Sequence, residues 1–260
     1  WDQVPGRDAE WKKQTIANTS EEQFKVEFEC DFVGSSNTLI STSKLKNLPF
    51  LEPIKDFKDG IKVYEDPIEG HLYVMCVDVS RGQGIDYHAA VVIDITNAPY
   101  KVVATFRNNE IPPMVLPNLL DRVGRKYNEA YCLVEVNDIG GQVADIMHSE
   151  IEYENMLYTS VRGHRGQELG AGFGVNARLG VKTSASIKRL GCSTMKAMIE
   201  EDKLIIQDYN TIEELSTFVA KRGTYAADSG HHDDMVMTLV LFGWMTSQPY
   251  FKEISDINIR

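Results

Sequence analysis

Three acidic positions, far apart in the chain, share one kind of setting. Asp78 sits near the end of the apolar run 72–80, Glu135 ends the run 130–134, and Asp233 and Asp234 open the run 235–242. A carboxylate at the edge of a buried element is costly unless a cation compensates it. Acids that converge from separate elements are the ligands two-ion phosphodiester hydrolysis requires, with the ions roughly 3.5–4 Å apart. Hard oxygen donors select magnesium or manganese over zinc. Asp78, Glu135 and Asp234 are therefore the candidate catalytic, metal-binding acids, with Asp233 a further candidate ligand and His232 and Asp86 accessory candidates. Taken singly, a strand-end aspartate is a turn former and an aspartate pair is a helix cap. Taken together they outweigh that plainer explanation. His231 and His232 have no Cys or His partners at zinc spacing.

The elements that must position these acids follow from periodicity. Residues 72–80 read as a central strand buried on both faces. Residues 61–64, 88–95 and 100–106 read as further strands, and a helix opened by Pro112 and Pro113 carries Met114, Leu116, Leu119, Leu120 and Val123. A strand ending at Glu135, a helix after Gly140 and Gly141, and a short fifth strand over 156–158 come next. Three hairpin-linked strands, then helix, strand, helix, strand, is the order of a ribonuclease H-like α/β fold, a mixed sheet with flanking helices. Further on, a helix is expected over 184–202, a strand over 204–206, and a helix over 211–221 with Asn210 as its N-cap.

Residues 1–54 read as an extension and linker, with an alternating strand over 24–32, and residues 55–260 as the domain. The chain starts at Trp1 rather than Met, as a piece excised from a longer protein would. No apolar run approaches the roughly 18 residues of a membrane span. The four cysteines form no CxxC pair, which suits a reducing, intracellular setting without disulfides. A net charge of −11 excludes a uniformly basic surface but leaves room for a local basic patch. The glycine-rich stretch 161–183 supplies one, through Arg162, Arg165, Arg178 and Lys182 into Lys188 and Arg189. It reads equally as a DNA-backbone contact and as a disordered surface loop. The loop Arg81-Gly82-Gln83-Gly84 fits no nucleotide-phosphate motif, and no GxxxxGK[ST] occurs.

Several ordered motifs carry a resemblance. They are Val77-Asp78 with the glycine loop and Asp86, Val134-Glu135-Val136-Asn137, Gly191-Cys192-Ser193-Thr194 with Asp202-Lys203-Leu204-Ile205-Ile206, and Gly230-His231-His232-Asp233-Asp234-Met235-Val236-Met237. From about Phe24 onward the chain resembles the C-terminal nuclease domain of the large terminase subunit of T-even-like tailed bacteriophages. The resemblance implies an endonuclease using two Mg2+ or Mn2+ ions that cuts concatemeric double-stranded DNA, with little sequence specificity, to begin and end head filling. It assigns Asp78, Glu135 and Asp234 to the family's catalytic acids. It also implies an ATPase domain preceding this one, joined through residues 1–40, and the portal protein and small terminase subunit as partners. The implied location is the host cytoplasm at the prohead portal, with no membrane. A resolvase- or integrase-like nuclease on the same fold is the runner-up, and a non-catalytic DNA-gripping module of a motor is the third reading.

Overall fold

A computed structural model describes residues 6–18, 37–84, 86–161, 166–170, 172 and 176–256. The strand expected over 24–32 and the basic residues Arg162 and Arg165 lie outside the described residues. Helix α1 (Ala9–Asn18) buries no side chain. Helix α2 (Thr42–Asn47) follows, capped by the Ser41 hydroxyl, which accepts from the Lys44 N–H.

A mixed seven-stranded sheet forms the centre. Its strands are β1 (Lys55–Asp56), β2 (Ile61–Val63), β3 (Tyr73–Asp78), β4 (His88–Asp94), β5 (Tyr100–Asn108), β6 (Tyr131–Val134) and the short β10 (Leu204–Ile205). The order is β1-β2-β5-β4-β3-β6, with β10 beside the start of β5. The first four pairings are antiparallel, whereas β3–β6 and β5–β10 are parallel. This is the ribonuclease H-like arrangement the element order predicts.

The sheet is covered on both faces, so its strands are apolar on both. On one side α3 (Leu116–Lys126) and α4 (Gly140–Ser149) pack against Tyr73, Met75 and Val77. On the other side lie α5 (Ala185–Glu200), α6 (Tyr209–Thr217), α7 (Asp234–Thr246) and α8 (Pro249–Asp256), over Val74 and Cys76. Helix α7 is apolar all round, as a helix enclosed between a sheet and another helix must be. It meets α5 with no side chain between the backbones: a Cβ on Gly191 would strike the Val240 carbonyl, and one on Gly243 the Gly191 carbonyl. Cys76, Cys132 and Cys192 are buried and free.

Four expectations shift. Helix α3 begins at Leu116, with Pro117 rather than Pro112 or Pro113 in its first turn. The fifth strand does not extend the sheet: Met156 bridges Cys132, and β7 (Tyr158–Val161) then leaves to join β8 (Gln167–Gly170) and β9 (Ala177–Leu179) in a separate antiparallel sheet. The described part of the glycine-rich stretch is thus a folded sheet rather than a loose loop. The helix expected over 211–221 instead starts after Asp208, whose carboxylate accepts from the Thr211 N–H and hydroxyl. It ends at Thr217, and Phe218–Lys221 becomes β11, paired with β12 (Thr224–Ala227). Residues 37–51, placed in the extension by composition, dock on the domain. Leu39, Ile40 and Leu45 enter its core, and the Leu39 N–H donates to the Phe218 carbonyl.

Candidate active site

Strand geometry brings the first two acids together. Side chains alternate along a strand, so Asp78 emerges on the face of Val74 and Cys76, the face α7 covers. By the same alternation Glu135 follows Leu133 onto that face. The two strands run parallel with Val77 opposite Val134, and the Glu135 N–H donates to the Val77 carbonyl. Neighbouring strands lie about 4.8 Å apart, so the acids leave the sheet side by side. Gly140 makes room for this turn, since a Cβ there would collide with the Glu135 carbonyl.

The third acid comes from the tip of α7, which crosses β3 and β4. Burial holds the Asp78 carboxyl well above the usual range, and the Glu135 carboxylate, hydrogen-bonded to it, adds to that. Asp234 and Asp233 push the same way. Burial also pushes Asp234 up to about 6, against the pull of the Tyr87 N–H and His232 and with the push of Asp86 and Asp233. One Asp234 oxygen, Oδ2, is buried without a hydrogen-bond partner. His232 approaches it at 3.6 Å through Nδ1, whereas His231 faces a separate cavity lined by Leu45 and Ile212. Lys188, on α5, reaches Asp233 at 3.7 Å.

Residues outside the predicted site set complete the surroundings. The Asn137 amide donates to Glu135 Oε1 at 3.1 Å and to the Thr183 carbonyl at 3.3 Å. Asn137 Oδ1 and Thr183 Oγ1 are both buried and unpaired. Arg81 forms a two-pronged pair with Asp138, joining the loops that follow β3 and β6. His88 is buried: its Nδ1 accepts from the Ser80 N–H at 3.2 Å and its Nε2 donates to the Ile111 carbonyl at 2.8 Å, so it pins the loop after Asp78. Of the basic candidates, Arg178 and Lys182 line a cavity of 720 Å³ beside Asn137. Lys188 faces the acids, and Arg189 borders a different cavity with Leu39 and Tyr225.

The donor set suits divalent cations. Its oxygens are hard, its acids repel one another, and one carboxylate oxygen lacks a partner. Among the described residues no three acidic, histidine or cysteine side chains are grouped so that they could hold a metal ion by themselves. Magnesium sites seldom have such a group, because the ion keeps waters and completes its shell with substrate phosphate.

Residues 75–243 match the family model of the terminase RNaseH-like domain. The chain belongs to that family. Solved structures similar to this terminase RNaseH-like domain include the large terminase nuclease of thermophilic phage G20c with bound magnesium. It has a TM-score of 0.61 and 19% identity, covering 80% of this chain and 97% of that one. The nuclease domain of the Thermus phage P74-26 large terminase gives 0.57 and 22%, covering 79% and 93%. The G20c nuclease is also known with cobalt and with zinc bound. At these identities the likeness establishes the fold.

One consequence of the crowding is measurable without DNA. Burial pushes the folded Asp234 carboxyl up to about 6, above the roughly 3.9 of an unfolded aspartate. The folded chain therefore holds more protons between those values, and this residue's contribution to stability falls as pH rises through the window. In chelator, Asp234→Asn should gain on the wild type by about 2 kcal/mol between pH 4.5 and 6.5, read from urea unfolding. A difference that stays constant with pH would show that folding does not raise the Asp234 carboxyl.

Proposed function

We propose that this domain is the metal-dependent endonuclease of a viral DNA-packaging motor, related to the T-even-like large terminases. The observation that carries the reading is the convergence of Asp78 and Glu135, from parallel strands, with Asp234 from the tip of α7. A DNA-gripping module has no use for mutually repelling acids drawn to one place from separate elements. Bound at these acids, two Mg2+ or Mn2+ ions would supply water activation and leaving-oxygen stabilisation.

The chain's own residues do the positioning. Asp78, on β3 between β4 and β6, would be the ligand the ions share. Glu135 is held by the Asn137 amide. Asp234 offers an unpaired oxygen, while Asp233 is tethered to Lys188 and is the more peripheral ligand. His232 and Asp86 flank Asp234 as accessory groups. Lys188, Lys182 and Arg178 lie near the acids, where phosphate contacts align a duplex without reading its sequence. Arg189, on another side of α5, joins them only if the duplex continues past that helix. This reading places the substrate as concatemeric double-stranded DNA, cut at the start and end of head filling. It places residues 1–54 towards a preceding ATPase domain, and the assembly at the prohead portal in the host cytoplasm with the portal protein and small terminase subunit. No helix among the described residues is long and apolar enough to cross a membrane.

The test is a plasmid and a linear duplex incubated with the protein under different ions. Cleavage should require Mg2+ or Mn2+, stop in chelator, and fail in Ca2+, which binds but tolerates looser geometry around the attacking water. Chelator-resistant cutting would end the two-ion reading. A strong preference for a four-way junction over linear duplex would favour the resolvase-like alternative.

A further inference from the structure

We propose that Glu214, Arg107 and Tyr87 are positioning residues that hold Asp234 and His232 in place through a closed ring of contacts. The proposal rests on Asp234 being a site residue. The ring draws on four separate elements. Glu214, on α6, accepts through Oε2 from the N–H groups of Met235 at 2.7 Å and Val236 at 3.2 Å, in the first turn of α7. Its Oε1 accepts from Arg107 Nε, on β5, at 3.2 Å. The Arg107 guanidinium lies over the Tyr87 ring, 3.5 Å from the centroid. Tyr87 meets the His232 ring edge-to-face at 5.0 Å. His232 then closes the ring onto Asp234.

Each link constrains something the acid needs. Asp233, at the N-cap position of α7, makes no side-chain cap bond, so the helix start is fixed from outside by Glu214. Arg107 has a planar cation that stacks on an aromatic ring while bonding a carboxylate, two tasks a lysine cannot combine. Fixing the Tyr87 ring also fixes the His232 ring packed against it, and His232 Nδ1 in turn faces Asp234 Oδ2 at 3.6 Å. Outer groups of this kind typically govern ligand affinity and rate by 10–100-fold without touching the reacting atoms.

A purely structural role makes a different prediction. Tyr87 lies in the loop between β3 and β4, half-buried and outside both apolar clusters. Tyr87→Leu should therefore stay folded. In the whole chain it should weaken Mn2+ binding, followed by the electron paramagnetic resonance of free Mn2+, by about tenfold. Plasmid-cleavage kcat should fall by about tenfold with KM for DNA moving less than about twofold. Tyr87→Phe, which keeps the ring, should rescue both. Arg107→Lys should match Tyr87→Leu, and the double variant should be no worse than either, because the two act through one path. A folded Tyr87→Leu with wild-type Mn2+ affinity and kcat would overturn the proposal, as would losses that multiply in the double variant. Failure of the underlying reading has a separate signature, Asp234→Asn binding Mn2+ and cutting like the wild type. That result would remove what the ring is proposed to hold.

Discussion

Asp78→Asn is expected to lower plasmid cleavage by on the order of a thousandfold or more while the fold stands. The residue sits on β3, flanked by β4 and β6, and every other acid of the site acts on it. An asparagine fills the same space but would not supply the anionic oxygens that the proposed ions need. Its cost to the fold is small for the same reason. The Asp78 carboxyl is already held well above its usual range by burial and by Glu135, so neutralising it relieves repulsion. Urea unfolding in chelator should show Asp78→Asn at least as stable as the wild type near pH 7, beside a nicking assay with Mn2+ showing the loss. Full cutting by the folded variant would remove Asp78 from the site.

The second large effect is on stability. Glu214→Ala should cost about 4 kcal/mol, combining a lost helix cap with a broken buried ion pair. Glu214 is buried, caps two N–H groups of α7, and is a carboxylate partner of Arg107, itself largely covered. Burial pushes its carboxyl up to about 7 against the pull of Arg107 and the two amides. Near neutral pH the side chain therefore bonds as much as it charges, and Glu214→Gln, which keeps an acceptor for the amides, should lose less than Glu214→Ala. Set against the 5–15 kcal/mol of an ordinary domain, the alanine variant should unfold at visibly lower urea. A cost under about 1 kcal/mol would mean that water replaces the glutamate without penalty.

The strands and acids were legible because their signals are local. The runs before Asp78 and Glu135 are long and β-branched, and the run after Asp234 is too apolar for anything but an enclosed helix. Parallel register then does the rest, because it sets Val77 opposite Val134 and so Asp78 beside Glu135. What escaped was decided at a distance. Phe218 and Val219 continue the apolar pattern of α6, yet they leave the helix because Asn37–Leu39 and β12 offer backbone partners. Asp208 outcompetes Asn210 as the cap, and it also receives the Tyr64 hydroxyl at 2.6 Å from across the domain. Met156 touches the sheet and the chain then departs, because β8 and β9 supply a sheet of their own. Glu214, Arg107 and Tyr87 each look ordinary alone, and only the folded chain joins positions 107 and 214.

The backbone contact between α5 and α7 has a bearing on how such a nuclease could be kept quiet. With Gly191 and Gly243 leaving no gap, α7 has nowhere to slide, and its residues from Met235 to Met245 are all buried. Amide hydrogens in the middle of this helix should therefore exchange with solvent only when the whole domain opens, at the slowest rate in the molecule. An acid carried on such a rod cannot be withdrawn and returned as a loop-borne one can. On the proposed reading, control over cutting would fall instead to what reaches the site: the strand presented to it, and the path by which that strand arrives.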